Sequence, residues 1–250
     1  MVAYPVKEQY TAEDLIRITA ILRDPKDGCP WDKVQTHQSI RKNFLEETYE
    51  ALEAIDENDS HLLCEELGDV LMQVALHACM EEEQGSFTFA DVCTSVCTKL
   101  IGRHPHIFAN ASDIKTEDEG LNSWELIKNK EKGRANLADE LTSVPKPLPA
   151  LMKAQKTQKR AAPYQKITDT NAQAAQKLDE AYRNWQALTS QDKAQIASDA
   201  SDSQTAAGEL LFALVNQLRI AGVDAEEALS HANARFVAQA LTDTQFSDAK

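Results

Sequence analysis

No two of the five cysteines, Cys29, Cys64, Cys79, Cys93 and Cys97, form a C-x-x-C pair, and their number is odd. They read as reduced thiols of a cytoplasmic protein, with Cys93 and Cys97 among the core positions of a helix. Glycine and proline are scarce, at eight each, and no stretch alternates apolar with polar residues, which argues against strands. No basic N-terminal segment leads into an apolar one, so no signal peptide is read. The longest apolar run, residues 70–80, is broken by Gln73 and His77 and is too short for a membrane span. With a formal net charge of −14 the chain lacks the basic surface that a nucleic-acid backbone requires. A nucleotide, which needs only a local basic patch and a metal ion, stays possible. The expectation is an all-α, cytoplasmic protein with neither nucleic acid nor membrane as partner.

What is abundant is carboxylate, and its spacing is informative. Glu47-x-x-Glu50 and Glu66-x-x-Asp69 lie in consecutive predicted helices joined by a short polar turn. Residues three apart share a helix face, so two antiparallel helices could converge all four carboxylates. At ~5 Å and an effective dielectric of ~20 each adjacent pair costs roughly 3 kcal/mol, which a bound cation would offset. An all-oxygen donor set suits Mg²⁺, with Mn²⁺ as a substitute. A ferritin-like di-iron bundle needs Glu-x-x-His, and none of the six histidines follows a Glu by three. Solvated helix faces explain most single glutamates. Asp69, a poor helix former beside an apolar run, and Lys99 and Arg103 at the end of the next helix favour a site.

The remaining pattern predicts a helix from Thr11 to about Arg23, a loop over 24–36, and helices over about 38–57 and 60–84. The third of these is capped by Ser60 and stopped by Gly85. Leu63, Leu67, Val70, Leu71, Val74 and Ala78 form an apolar face expected in a bundle core, as do Ile40, Phe44, Leu45, Leu52 and Ile55 of the helix before. A fourth helix runs from Thr88 to about Gly102, carrying Val92, Val96 and Leu100 at fourfold spacing, and one that is polar apart from Trp124, Leu126 and Ile127 spans about 122–134. Trp31 reads either as an anchor of its loop, the favoured alternative, or as a platform for a ring. His104 and His106 either close the site or cap the fourth helix. Residues 137–149, with three prolines, read as a linker between residues 1–136 and 150–250. Beyond it the order of elements repeats: Gly208-Glu209-Leu210-Leu211 echoes Gly68-Asp69-Val70-Leu71, and 189–201 reads as a loose connection.

The stretches E-E-T-Y-E at Glu46–Glu50, E-E-L-G-D at Glu65–Asp69, G-C-P-W-D at Gly28–Asp32 and R-H-P-H-I-F at Arg103–Phe108 resemble the MazG family of nucleoside triphosphate pyrophosphohydrolases. The resemblance implies tandem MazG-like helical bundles, 1–136 catalytic and 150–250 degenerate, that complete four-helix arrangements by pairing, with a homodimer expected. It implies Mg²⁺ on Glu47, Glu50, Glu66 and Asp69, phosphate contacts from Lys99 and Arg103, and Trp31 and Asp32 near the nucleoside. The implied reaction is NTP plus water to NMP and pyrophosphate, with Glu46 or Glu47 taking the water's proton. In the second copy Ala206 replaces Glu66, Glu209 replaces Asp69, Glu180 matches Glu47 and Arg183 replaces Glu50. Arg235 there matches Lys99, and Gln239 replaces Arg103. A nucleotide-binding scaffold with vestigial activity is the alternative, and an enzyme narrowed to one nucleotide a further one.

Overall fold

A computed structural model describes residues 4, 6–109, 114–134, 136–164, 170–189 and 200–247. Among these are eleven α-helices and no strand, so the all-α expectation holds. The chain forms two compact units, Met1–Trp124 and Glu125–Lys250. The first contains α1 (Ala12–Leu22), α2 (Arg41–Asp56), α3 (Ser60–Glu83), α4 (Phe89–Arg103), the short α5 (Pro105–Phe108) and the start of α6 (Glu117–Glu131). The second contains the rest of α6, then α7 (Leu137–Thr142), α8 (Ala150–Ala161), α9 (Asn171–Thr189), α10 (Ala200–Ile220) and α11 (Ala225–Ser247).

Local chemistry sets the helix ends of the first unit. Thr11 and Thr88 each close a capping box, with Asp14 and Asp91 as the reciprocal acids. At the end of α3, Gly85 adopts φ 70°, and the Gly85 and Ser86 amides donate to the Glu82 and Glu81 carbonyls, at 3.0 and 2.9 Å. This Schellman arrangement favours a residue without Cβ. α2 ends in the same way on Asn58, φ 55°, which reverses the chain directly into α3. The cap of α3 is Asp59 rather than Ser60: its carboxylate accepts from the His61 and Leu62 amides, at 2.9 and 3.1 Å. Asp59 is extended after the left-handed Asn58, whereas Ser60 already lies in the helix.

The core of this unit is small. Ile40, Leu76 and Met80 are buried together with Met72 against them, and α1 also packs on α3. The expected core face lies largely in the open: Leu67 is 53% exposed and Ile55 56%, and Phe44, Leu45, Leu52, Leu71, Val96 and Leu100 are exposed too. α2 instead buries Ala51 and Ala54. Periodicity located the apolar faces correctly but not what covers them. Cys93 and Cys97 share that exposed situation, so they are not core thiols; of five free cysteines only Cys79 is buried.

In the second unit α9 lies along α10, and α8 crosses α10 with the Gln158 side-chain amide donating to the Phe212 carbonyl at 2.7 Å. α10 ends at Gly222, φ 75°, with the same pair of hydrogen bonds that closes α3. Asp224 then caps α11 through the Glu226 and Glu227 amides. The proline-containing stretch 137–149 includes α7, whose buried Glu140 lies between Arg134 and Arg160, and the division between units falls earlier, within α6. Most of the connection read as loose, 190–199, lies outside the described residues. Among the described residues no single helix is long and apolar enough to cross a membrane.

Candidate active site

The hairpin of α2 and α3 positions the acidic cluster. Asn58 marks its reversal, and Glu50 and Glu66 each lie eight residues from it, while Glu47 and Asp69 each lie eleven. Antiparallel packing therefore sets Glu50 level with Glu66 and Glu47 level with Asp69. The electrostatics agree. After burial, the largest influence raising the Glu66 pKa is the charge of Glu50, and for Glu47 it is the charge of Asp69. Glu47, Glu66 and Asp69 can each present an oxygen within 4.8 Å of the others, and all three are half-buried. Glu50 is more exposed, and its carboxylate stands close enough to raise the pKa of both Glu47 and Glu66.

This donor set fits a hard divalent cation. It is all carboxylate, it converges from two helices, and Glu47 and Glu66 hold their protons more tightly than usual, through burial first and the neighbouring negative charges second. A metal at this place would be held by Glu47, Glu66 and Asp69, with Glu50 beside them.

The other candidate residues are placed as follows. Glu46 turns away from the cluster and pairs with Lys42 at 2.7 Å. Lys99 is exposed near the end of α4. Arg103, one turn on, is 8% exposed and lies over the ring of Trp124 at 4.9 Å. Trp124, which the sequence reading left as an apolar residue in a polar helix, thus belongs with the basic end of α4. His104 donates from Nδ1 to the Leu100 carbonyl at 2.6 Å, which favours the capping role.

Trp31 and Asp32 lie on the loop between α1 and α2, outside the acidic cluster. Trp31 is 56% exposed, so it does not anchor that loop. The anchor is Arg23, which no short-range pattern could have revealed. Its guanidinium grips Glu83 through Nε and Nη2, at 2.6 and 2.8 Å, and donates from Nη1 to the carbonyls of Asp32 and Gln35, at 2.7 and 3.2 Å. Within the loop, a Cβ on Gly28 would stand 2.4 Å from the Asp24 carbonyl oxygen, so the chain can fold back only through glycine.

Along α3 the polar residues Glu66, Asp69, Gln73, His77 and Glu81 follow one another at helical spacing. From Asp69 to His77 is about 12 Å along the axis, the scale of a nucleotide. Gln73, buried, carries an Oε1 with no hydrogen-bond partner.

The chain is similar to known proteins. Residues 35–108 match the model of the MazG nucleotide pyrophosphohydrolase domain. The chain is 41% identical over 227 residues to the nucleoside triphosphate pyrophosphohydrolase of Escherichia coli strain K12, covering 89% of this chain and 82% of that protein. It is 36% identical over 225 residues to the nucleoside triphosphate pyrophosphohydrolase/pyrophosphatase MazG of Thermotoga maritima, covering 90% and 82%. Over 237 residues it is 40% identical to the uncharacterized protein YabN of Bacillus subtilis, covering 93% of this chain and 47% of that one. The carboxylate hairpin falls inside the matched domain, and the likeness extends through both units: the chain belongs to the MazG nucleotide pyrophosphohydrolase family.

Proposed function

We propose that the protein hydrolyses nucleoside triphosphates between the α and β phosphorus atoms, giving a nucleoside monophosphate and pyrophosphate. The observation that carries this reading is the α2–α3 cluster, in a chain whose relatives are named for that activity. Glu47, Glu50, Glu66 and Asp69 would hold Mg²⁺, or Mn²⁺ in its place. When bound, the metal would neutralise the triphosphate and make a water more acidic. In the reaction the water's oxygen forms a new bond to phosphorus, the bridging P–O bond breaks, pyrophosphate leaves and one proton passes to a carboxylate. Glu47 stands in the cluster, whereas Glu46 is engaged by Lys42, so the geometry supports Glu47 as that acceptor.

Lys99 and Arg103 would face the phosphates and supply charge where negative charge grows. Trp31 and Asp32 would meet the nucleoside. The uncovered apolar faces of α2, α3 and α4 support a homodimer in which two hairpins complete a four-helix arrangement. The second copy, 150–250, would have lost catalysis. Its Arg183 pairs with Asp179 on the same helix, and Ala206 is buried where Glu66 would stand.

The test is pyrophosphate release from a panel of NTPs and dNTPs with Mg²⁺, comparing the intact protein with Glu50→Ala and Asp69→Ala. Release that both substitutions abolish is expected. Release that survives both, or no release from any nucleotide, overturns the reading.

A further inference from the structure

α3 carries a second polar cluster, beyond the carboxylates. His37, in the turn before α2, reaches two side chains of α3 at once. Its Nδ1 lies 2.6 Å from Nδ1 of His77, and its Nε2 lies 2.8 Å from Oε1 of Glu81. The two imidazoles are nearly parallel, with 9° between their planes, and Phe44 of α2 meets His77 edge-on, 5.7 Å between ring centres.

Two ring nitrogens so close must share a proton, one donating and the other accepting. With Nε2–H of His37 donating to Glu81, two arrangements keep the contact. In one, neutral His37 accepts at Nδ1 from His77. In the other, cationic His37 donates at Nδ1 to neutral His77. Protonation of both rings breaks it, because two N–H donors and two positive charges then face each other.

What this contact secures is the loop that carries Trp31 and Asp32. That loop is tied to the last turns of α3 at both ends: by Arg23 and Glu83 where it leaves α1, and by His37 where it enters α2. Ile40, 1% exposed beside Leu76 and Met80, fixes the chain beyond His37. Trp31 is more than half exposed, so the polar ties, together with Ile40, set the loop's position.

We propose that Glu81, His37 and His77 form a positioning clasp that fixes the Trp31–Asp32 loop and releases it when both imidazoles are protonated. In its bearing on catalysis this rests on the reading of Trp31 and Asp32 as nucleoside contacts.

The surroundings favour release by acid. α2 meets His77 with the uncharged Phe44, α3 offers Glu81 through His37, and Arg23 of α1 is held by Glu83. Burial first, and the neighbouring His37 second, keep the His77 pKa below the ordinary histidine value. The open loop therefore takes up the second proton more readily than the closed one. Closure is complete above about pH 6.5 and weakens progressively below it.

Hydrogen exchange of the loop amides, measured on the full-length protein without nucleotide and corrected for intrinsic rates, tests this directly. Between about pH 7.5 and about pH 5.5 the unsubstituted protein should lose roughly tenfold in loop protection, the equivalent of one hydrogen bond. In His77→Phe the remaining His37–Glu81 pair can only tighten in acid, so protection should stay level or rise. Protection that ignores pH in the unsubstituted protein, or falls equally in His77→Phe, overturns the clasp. In steady-state assays His37→Phe should raise KM about tenfold and leave kcat within about twofold. A fall in kcat at constant KM would refute the positioning role. If no nucleotide is hydrolysed at all, the pyrophosphohydrolase reading falls, while the exchange experiment still decides the clasp.

Discussion

Replacing Glu47 by Gln should stabilise the metal-free protein, although it removes a ligand. Glu47, Glu66 and Asp69 offer oxygens within 4.8 Å of one another, and Glu50 adds a fourth charge beside them. Two unit charges about 4.8 Å apart repel by about 1 kcal/mol at the dielectric of water and about 3 kcal/mol at ~20. Glu47 is half-buried, so the lower figure is the better guide for each neighbour, and part of the gain is lost with the hydration of the carboxylate. A net gain of about 1–2 kcal/mol corresponds to a melting point about 3–6 °C higher for a chain of this size.

Thermal melts in chelator, followed by titration with Mg²⁺ or Mn²⁺, separate the two effects. The unsubstituted protein should rise with cation, as mass action requires, while Glu47→Gln starts higher and gains much less. The pH dependence supplies a second check. The folded-state pKa values of Glu47 and Glu66 are raised, so the folded protein binds these protons more tightly than the unfolded chain. The stability gained in this way is full below about pH 4.3, the ordinary glutamate value, and is lost as pH rises through the raised values. The advantage of the variant in chelator should shrink accordingly as pH falls toward about 4.3. A variant that melts no higher than its parent in chelator, or gains as much from cation, refutes the cluster as a metal site held under repulsion.

Two further outcomes follow from the first unit. Gly28→Ala places a Cβ against backbone oxygens of Asp24 and Leu22, at 2.4 and 2.6 Å, and neither can move aside without the loop; a loss of about 2–4 kcal/mol is expected in denaturant titration, and an unchanged midpoint would contradict the packing described. Ile55→Arg charges the uncovered face of α2 and should convert a dimer to a monomer in light scattering; a monomeric parent, or a variant that remains dimeric, would remove that face from the proposed pairing.

What the sequence disclosed was whatever depends on near neighbours. The carboxylate pairs were legible because i, i+3 spacing fixes a helix face. The caps at Thr11 and Thr88 and the stop at Gly85 were legible because each is completed within a few residues. Asp59 and Ser60 are both good caps, and only the left-handed Asn58 decides between them. The ties across long stretches stayed hidden: Arg23 meets Glu83 sixty residues on, and His37 meets His77 forty residues on, with no repeated spacing to betray either. For Leu67, Leu71 and Val96 the pattern gave the face but not its cover, since an apolar stripe looks the same whether it meets its own chain or another. Trp31 was misjudged for a related reason: an aromatic residue in a loop is informative only once its neighbours are known.

The α2–α3 hairpin also bears on how the site comes into being. All four carboxylates lie between residues 47 and 69, on two helices joined by a tight reversal, so assembling them requires closing almost no loop. Contacts of such short sequence separation form early and fast, within the time of helix formation and local docking. The chain thus brings its mutually repelling acids together before the distant ties of Arg23 and His37 are made, and a cation able to bind that hairpin would favour the folded state from the first steps of folding onward.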